Sequence, residues 1–397
     1  MNVQVNPEIL RWARDTAGLE VEKAAQLLGF RDSQRRTAAT RLRDLESGAE
    51  EPSFSVLDRM ASKYRRPLLV FYLPHPPEDE EPAAQFRSAP KNLSSVEAGQ
   101  LNAFVRNLRS RQELLHDALE EFADSEQLAW VGSARENAGR DALASRLGRI
   151  LSFDVEEYRS QRNADAGFRL LRERAEAAGA FVLLEGDFGS WQSALDTKLF
   201  RGLSLADSVA PFVVINPRDA TSARSFTLLH EMTHLVLGQS QFANLATEDR
   251  LERLCNDVAG DLLLPEKDVR ELAVLRHTDP NELEGRVAKF AKHWRVSSSL
   301  VAYRAARSGH LQRSELRQLL GRFEERWRNA RKKETEAAKQ GSGGPTYLPF
   351  RRYQLGASLV RRTRELWRAG ELTTSRAGLV LGVRATSVHA LLEPSRS

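Results

Sequence analysis

Residues 225–238, SFTLLHEMTHLVLG, combine a strongly apolar helical pattern with two histidines and one glutamate. The chain has only 8 histidines in 397 residues, so their placement in a segment suited to burial needs an explanation. A buried ionisable group requires a partner, because desolvating it alone is costly. Histidines four residues apart share one helix face, about 6 Å apart along its axis. The H-E-x-x-H spacing therefore predicts a zinc ion bound by His230 and His234, with Glu231 as general base.

The alternative for this segment is a pair of core histidines that bond to backbone carbonyls. A carboxylate directly beside two buried imidazoles argues against that alternative, because it would need a partner as well. We therefore favour the metal site.

A catalytic zinc site uses three protein ligands and leaves one position open. The next helix, EDRLERLCNDVAGDLLLPE at residues 248–266, contains the candidates for the third ligand. Glu252 is preferred, because zincins with a glutamate ligand keep it on a separate downstream helix. Glu248 at the helix start simply favours the dipole, and Glu266 follows Pro265 beyond the helix end.

Three other residues of this helix are ambiguous. Asn256 and Asp257 are candidates to support a metal ligand by hydrogen bonding, although either is equally compatible with a surface position. Cys255 is interpreted as buried apolar filler, with a reactive thiol as the alternative.

Composition places the chain among ordinary globular proteins of several domains. Hydrophobic residues make up 41% of it and charged residues 28%. No apolar run reaches the roughly 18 residues that span a bilayer, and residues 1–8 lack the basic-then-apolar layout of a secretory signal. A single cysteine fits a reducing compartment. We expect a cytoplasmic protein without a membrane partner.

Stretches rich in proline, glycine or charged residues mark boundaries that divide the chain into four predicted regions. The fold class expected is multidomain and mainly α, with a small twisted sheet in a zincin-like α+β central domain. The predicted regions are an all-α domain (1–75), a linker and helical segment (76–164), the α+β domain (165–310) and a basic helical C-terminal region (311–397).

The strands of the central domain are predicted from short β-branched runs bounded by turn residues, GAFVLLEG at 179–186 and APFVVIN at 210–216. LFRGLSLAD at 199–207 reads as a third, more exposed strand. Its residues Phe200, Arg201, Gly202 and Leu203 are candidates to bind an extended peptide by β-augmentation. An ordinary strand inside the sheet is the alternative.

Three stretches resemble the ImmA/IrrE family of bacterial and phage metallopeptidases: FRGLSLAD (200–207), APFVVINPRDATSARSFTLLHEMTHLVLG (210–238) and ERLCNDVAGDLLLP (252–265). The resemblance is dense over about residues 165–310. It implies a zinc metalloendopeptidase with ligands His230, His234 and Glu252 and with Glu231 as catalytic base. It also implies a protein substrate, typically a DNA-binding repressor that is cleaved to relieve repression. Tyr303, His293 and Arg304 are candidates by residue type to stabilise an oxyanion.

The first 75 residues resemble an Xre/Cro-type helix-turn-helix repressor domain. The resemblance rests on residues 6–30, NPEILRWARDTAGLEVEKAAQLLGF, and residues 42–74, which include DLESG and PSFSVLDRMASKY. A predicted helix over 33–46 carries arginines off its apolar face, and such arginines reach phosphates and guanine edges in DNA. A solvated helix face is the alternative. The arginines are Arg35, Arg36, Arg41 and Arg43.

The C-terminal region holds a second hint of nucleic-acid binding. Residues 301–397 contain 20 Lys/Arg against 8 Asp/Glu, which suggests a polyanionic partner. TSRAGLVLGVRATSVHALL at 374–392 predicts a helix–glycine–helix unit, a candidate second helix-turn-helix. A helical bundle of another purpose is an equal alternative.

Together these patterns predict a DNA-binding transcriptional regulator fused to a zinc endopeptidase that cleaves a regulatory protein, such as a repressor or a cognate toxin. Helix-turn-helix modules usually act in pairs on palindromic DNA, so a homodimer is among the expectations. The alternative is an antitoxin-type or repressor protein that acts by contact with DNA and a partner, with a structural or inactive zinc site.

Overall fold

The computed structural model describes residues 5–77, 93–122, 127–188, 193–242, 250–276, 278–340 and 347–393. The chain forms two compact units, Met1–Ser110 and Arg111–Ser397. The sequence-based boundaries after residues 75, 164 and 310 stay predictions. Within the described ranges, no helix has the length and apolar character that crossing a bilayer requires.

The first unit consists of short helices that surround one apolar core. Asn6 caps the first helix by accepting a hydrogen bond from the Glu8 amide at 3.0 Å, and Pro7 occupies its first position. The core residues include Ile9, Leu42 and Met60. The helices are α1 (Pro7–Thr16), α2 (Val21–Leu27), α3 (Ala38–Glu46), α4 (Phe54–Tyr64), a 3-10 helix (Leu68–Tyr72) and the beginning of α5 (Ser95–Glu121).

A buried ion pair joins α1 to α3 in this unit. Arg14 Nε donates to Glu46 Oε1 at 2.7 Å, and Arg14 Nη2 donates to Glu46 Oε2 at 3.0 Å. The remaining Nη1 donates to the Leu19 carbonyl at 2.8 Å. Because each charge is matched by direct hydrogen bonds, both side chains tolerate burial in the core.

The helix predicted over residues 33–46 begins five residues later, at Ala38. Asp32 Oδ1 accepts from the Ala38 amide at 2.8 Å, and Thr37 caps the helix by accepting from Thr40 N at 3.1 Å. These side-chain bonds fix a turn before the helix, since Asp and Thr compete well for backbone amides there. Arg35 and Arg36 therefore lie in the turn and not on the predicted helix face.

The second unit is mainly helical with one small sheet, as the sequence predicts. Its helices are α6 (Arg140–Ile150), α7 (Val155–Ser160), α8 (Ala164–Ala177), α9 (Arg224–Val236), α10 (Arg250–Leu263), α11 (Glu266–Val269), α12 (Pro280–His293), α13 (Ser298–Arg307), α14 (Arg313–Gln340), α15 (Tyr347–Leu355), α16 (Ala357–Ala369), α17 (Thr374–Leu381) and α18 (Ala385–Leu392), with 3-10 helices at Glu136–Ala138, Thr221–Ala223 and Arg270–Leu275.

The sheet has four described strands in the order β1-β3-β2-β4. β1 runs parallel to β3, and β2 runs antiparallel to both β3 and β4. Alternate residues of β1 and β3, such as Val182 and Val213, enter the same core as Leu228 and Met232 of α9. The strands are β1 (Phe181–Leu184), β2 (Gly202–Leu205), β3 (Phe212–Ile215) and β4 (Gln241–Phe242).

The prediction that the strand at 199–207 is more exposed is wrong. All four residues of β2 are buried, and Phe200 just before it is 1% exposed. β2 pairs with β3 on one side and with β4 on the other, where Leu203 faces Phe242. Exposure was inferred from residues 199–207 alone. The strand that covers this edge of β2 is β4, which lies more than thirty residues further along the chain, so the local sequence did not reveal it.

The C-terminal helices dock on the β1 side of the sheet through buried charge. Glu185, directly after β1, lies 2.5 Å from Arg111 Nη1 of α5 and also pairs with Arg351 of α15. Burial alone would raise the pKa of Glu185, but the two guanidinium groups lower it below its ordinary value. Arg111 Nε also donates to the Val380 carbonyl of α17 at 2.9 Å.

Part of the basic surplus predicted to meet a polyanion therefore forms bonds within the chain. Arg351 pairs with Glu185, and Arg352 donates to the Leu391 carbonyl at 2.7 Å. The helix–glycine–helix pattern corresponds to α17 and α18, which are joined through Gly382 at a φ of 61°. A nucleic-acid role for these two helices stays a prediction.

The C-terminal part of α5 is attached to the β2–β3 connection by His116. Its Nδ1 lies 2.9 Å from Asp207 Oδ1, and its Nε2 lies 3.2 Å from Glu120 Oε1. Partial burial lowers the pKa of His116, but the bond to Asp207 and the nearby carboxylates raise it more. The net pKa lies above the ordinary value of 6.5.

We expect NMR titration of the His116 ring to give a pKa above 6.5, and Asp207→Asn to lower it. Because the folded pKa is raised, this contact stabilises the protein fully below the unfolded value of about 6.5. That stability is lost as pH rises through the folded pKa. A wild-type His116 pKa at or below 6.5 would contradict the expectation.

Candidate metal centre

Helices α9 and α10 bring three side chains together in the core of the second unit. His230 Nε2 and His234 Nε2 lie 3.1 Å apart. Glu252 Oε2 lies 3.3 Å from His230 Nε2, and Glu252 Oε1 lies 3.3 Å from His234 Nε2. Atoms bound to one zinc ion at about 2.0–2.1 Å and tetrahedral angles would be about 3.3 Å apart. The three separations therefore match the edges of a zinc coordination tetrahedron.

The bonding of these atoms supports the same interpretation. His230, His234 and Glu252 are each at most 1% exposed. Both oxygens of Glu252 are buried without a regular hydrogen bond among the described residues, although each lies 3.3 Å from the Nε2 atom of a histidine. Buried polar atoms without satisfied bonds are rare in folded proteins. A divalent cation at the centre of the group would satisfy these two oxygens and the two Nε2 atoms together.

The charge of the group suits a cation as well. Burial raises the pKa of Glu252, but the contacts with His230 and His234 outweigh it and lower the pKa to about 2. Glu252 is therefore ionised at neutral pH. One carboxylate and two imidazoles form a ligand set that zinc accepts readily.

Among the residues that the structure describes, the other acidic candidates for the third ligand do not join the two histidines. Glu266 begins α11 and is exposed, whereas Glu248 lies outside the described residues. Asp257 forms an ion pair with Arg307, so its charge is used away from the cluster. Asn256 Oδ1 is buried without a hydrogen-bond partner among the described residues. Of the acidic candidates that the structure describes, Glu252 is the one that joins the histidines.

Glu231 is completely buried beside this group, under strand β2. A Cβ added at Gly202 would lie 2.5 Å from Glu231 Oε1 and 2.5 Å from Thr227 Cγ2. Glycine at this position lets the strand backbone come close to the carboxylate. The predicted peptide-binding strand therefore adjoins the predicted base, although the strand itself is buried.

The structure also reveals a contact that the sequence interpretation missed. Cys255 Sγ lies 3.6 Å from His234 Nδ1, and the thiol is fully buried. The usable signal was helical spacing, because Cys255 follows Glu252 by three residues and so shares its helix face. Treating cysteine as apolar filler hid this signal.

The surroundings of the three oxyanion candidates differ from those of the metal-ligand cluster. Arg304 Nη1 pairs with Asp261 at 2.7 Å, and its Nη2 donates to the Leu264 carbonyl at 3.0 Å. Tyr303 is 44% exposed on α13, and His293 is exposed at the end of α12. Arg304 is accordingly a structural residue in this arrangement.

The four arginines predicted to contact DNA lie in the first unit. Arg36 Nη1 pairs with Glu50 at 2.6 Å, and Arg43 Nη2 pairs with Glu22 at 2.7 Å. The Arg41 guanidinium lies 4.7 Å from the centre of the Phe30 ring, and Arg35 is exposed. Two of the four charges are thus matched within the chain.

Comparison with known proteins agrees with this site. Residues 180–306 match the family model Peptidase_M78, described as the IrrE N-terminal-like domain. The matched segment contains strands β1–β4 and helices α9–α12, and hence His230, His234 and Glu252. It indicates a metallopeptidase-type domain over these residues. No curated protein and no solved structure matches the chain.

We expect Gly202→Ala to destabilise the second unit by about 1–3 kcal/mol, because the added methyl group overpacks the contact with Glu231 and Thr227. Thermal unfolding of the full chain measures the effect, and a crystal structure of the variant should show the Glu231 carboxylate displaced.

Two further variants make this test specific. Thr227→Ser removes the Cγ2 atom that the new methyl group meets, so the double variant should lose less stability than the sum of the single changes. Gly285→Ala is the control, because a Cβ there meets nothing within 4 Å. Equal behaviour of Gly202→Ala and Gly285→Ala would refute the close-approach argument.

Proposed function

We propose that the second unit is a zinc-dependent endopeptidase and that the first unit binds DNA, so that the chain acts as a transcriptional regulator. The proposed substrate is a regulatory protein, such as a repressor or a cognate toxin. The observation that carries the peptidase proposal is the convergence of His230, His234 and Glu252 at 3.1–3.3 Å. The match of residues 180–306 to a peptidase family model supports it independently.

In the proposed peptidase, three residues bind the metal and a fourth transfers a proton. When bound, zinc supplies Lewis-acid chemistry, because it polarises a carbonyl oxygen and lowers the pKa of water toward neutrality. His230, His234 and Glu252 are the residues that would hold the ion. Glu231 accepts a proton from the water molecule that attacks the scissile carbonyl carbon, and it passes this proton to the amine that leaves when the C–N bond breaks.

We place the peptide substrate at the Gly202 end of β2. Gly202 lies directly over Glu231, since a Cβ there would lie 2.5 Å from Glu231 Oε1. An extended peptide that adds to this end of the strand brings its backbone to the general base. Phe200 and Arg201 continue the same segment.

The DNA-binding proposal rests on the resemblance of the first 75 residues to Xre/Cro-type domains and on the basic groups Arg35 and Arg41. Arg35 is exposed in the turn before α3, and Arg41 lies on the first turns of that helix. These positions suit contacts with the phosphates of a groove that α3 enters. The proposed working form on palindromic DNA is a homodimer.

One observation favours a second candidate, a repressor or antitoxin-type protein with a structural metal site. Glu231 and the three ligands are all at most 1% exposed, and structural zinc sites are closed in this way. Such sites have four protein ligands, however, whereas the described residues that meet at this centre number three. We therefore prefer the peptidase.

We expect purified wild-type protein to contain about one zinc ion per chain by elemental analysis, and His234→Ala and Glu252→Ala to lose it. Glu231→Gln should retain zinc and folding but lose regulation of the target gene in cells, because the proton acceptor is gone. His116→Gln serves as a control that should retain zinc. Zinc retention together with unaltered regulation in Glu231→Gln would reject the peptidase and favour the structural site.

We expect the protein to bind its own upstream DNA, with affinity falling steeply between about 50 and 200 mM salt. Arg35→Ala and Arg41→Ala should each weaken binding and reduce the salt slope by about one, as lost phosphate contacts do. Fluorescence anisotropy with a labelled duplex measures both quantities. Lys63→Ala, an exposed charge change on α4, is the matched control. An equal loss in Lys63→Ala would show that only net charge matters.

A further inference from the structure

Cys255 is the only cysteine of the chain, and it lies against a predicted metal ligand. Its Sγ atom is 3.6 Å from His234 Nδ1, within hydrogen-bond range for sulfur. Both residues are 0% exposed, so water does not compete for this contact. Helix α10 produces the arrangement, because Glu252 and Cys255 are three residues apart and face α9 together.

The geometry separates the thiol from the metal ligands. His234 directs Nε2 toward His230 and Glu252, at 3.1 and 3.3 Å, whereas Cys255 contacts the other ring nitrogen. The ligand atoms that lie within 4.8 Å of one another come from His230, His234 and Glu252, and Cys255 is not in this group. Cys255 is therefore behind the imidazole and is not a fourth ligand.

An imidazole that binds a metal through Nε2 carries its remaining proton on Nδ1. The group that accepts this proton in a hydrogen bond fixes the tautomer and the ring orientation. Carboxylates and carbonyl oxygens usually have this role, whereas the acceptor next to His234 is a sulfur atom. Sulfur is a weak acceptor but a usable one in a dry environment.

We propose that Cys255 is a positioning residue of the metal centre, which accepts the hydrogen bond from Nδ1–H of His234 and so presents Nε2 to the ion. The proposal rests on the zinc site of the proposed function and adds a residue to it. It also explains why the thiol is compatible with a site of three protein ligands, since its sulfur is used on the opposite side of the ring.

The test compares the zinc affinity of full-length wild type, Cys255→Ala and Cys255→Ser in competition with a chromophoric chelator. Loss of an outer hydrogen-bond partner typically costs about 10–100-fold in metal affinity. Because sulfur is a weak acceptor, Cys255→Ala should cost less than this, about 3- to 10-fold. Cys255→Ser keeps an acceptor at the position and should retain more affinity than the alanine variant.

The matched control is Val258→Ala, which opens a cavity in the same buried stretch of α10. It should lower the unfolding temperature more than Cys255→Ala while leaving zinc affinity unchanged, because Val258 is three residues further along the core. Wild-type affinity in Cys255→Ala, or an equal loss of affinity in Val258→Ala or Cys255→Ser, would overturn the positioning role.

A spectroscopic measurement tests the placement of the sulfur. The cobalt-substituted wild type should lack a thiolate-to-metal charge-transfer band, and the appearance of such a band would overturn the proposal because Cys255 would then be a ligand. Failure of the zinc site on which the proposal rests has a different signature, since the wild type itself would then bind no zinc. Zinc in the wild type with unchanged affinity in Cys255→Ala rejects the role of Cys255 alone.

Discussion

The second unit is organised around the meeting of two imidazoles and one carboxylate in a dry core. His230 and His234 on α9 face Glu252 on α10 at 3.1–3.3 Å, and none of the three is more than 1% exposed. Three such groups are expensive to bury unless they share a ligand or neutralise one another. The packing of α9 against α10 therefore depends on how these two imidazoles and this carboxylate interact. The proposed chemistry of the unit depends on the same interaction.

The sheet positions the rest of the centre. β2 lies between β3 and β4, and at Gly202 its backbone comes so close to Glu231 that a single methyl group would clash with the carboxylate. At the β1 edge of the sheet, Glu185 forms ion pairs with Arg111 and Arg351 and so attaches the C-terminal helices to β1. The second unit thus contains two groups of buried charged or ionisable side chains. One is the cluster at His230, His234 and Glu252, and the other, at Glu185, holds the C-terminal helices to the sheet.

The metal cluster was predictable to a large extent, because its information is local. A spacing of four residues places His230 and His234 on one helix face in any context, and Glu252 was separated from Glu266 by the end of a helix that Pro265 marks. The start of α3 was misjudged by five residues, since bonds from Asp32 and Thr37 outcompete the apolar periodicity there. The exposure of β2 was misjudged because its neighbour β4 is a two-residue strand without a pattern of its own.

By itself, the sequence determined the helix with its two imidazoles, the candidates for a third ligand, the place of Glu231 directly after His230 and the mainly helical architecture. Helical spacing is a property of the backbone, so such features follow from the order of residues alone. Only the tertiary structure decided that Glu252 completes the cluster, that Gly202 covers Glu231 and that Cys255 lies behind His234. These contacts join segments that are distant along the chain, and their distances are fixed by how helices and strands pack.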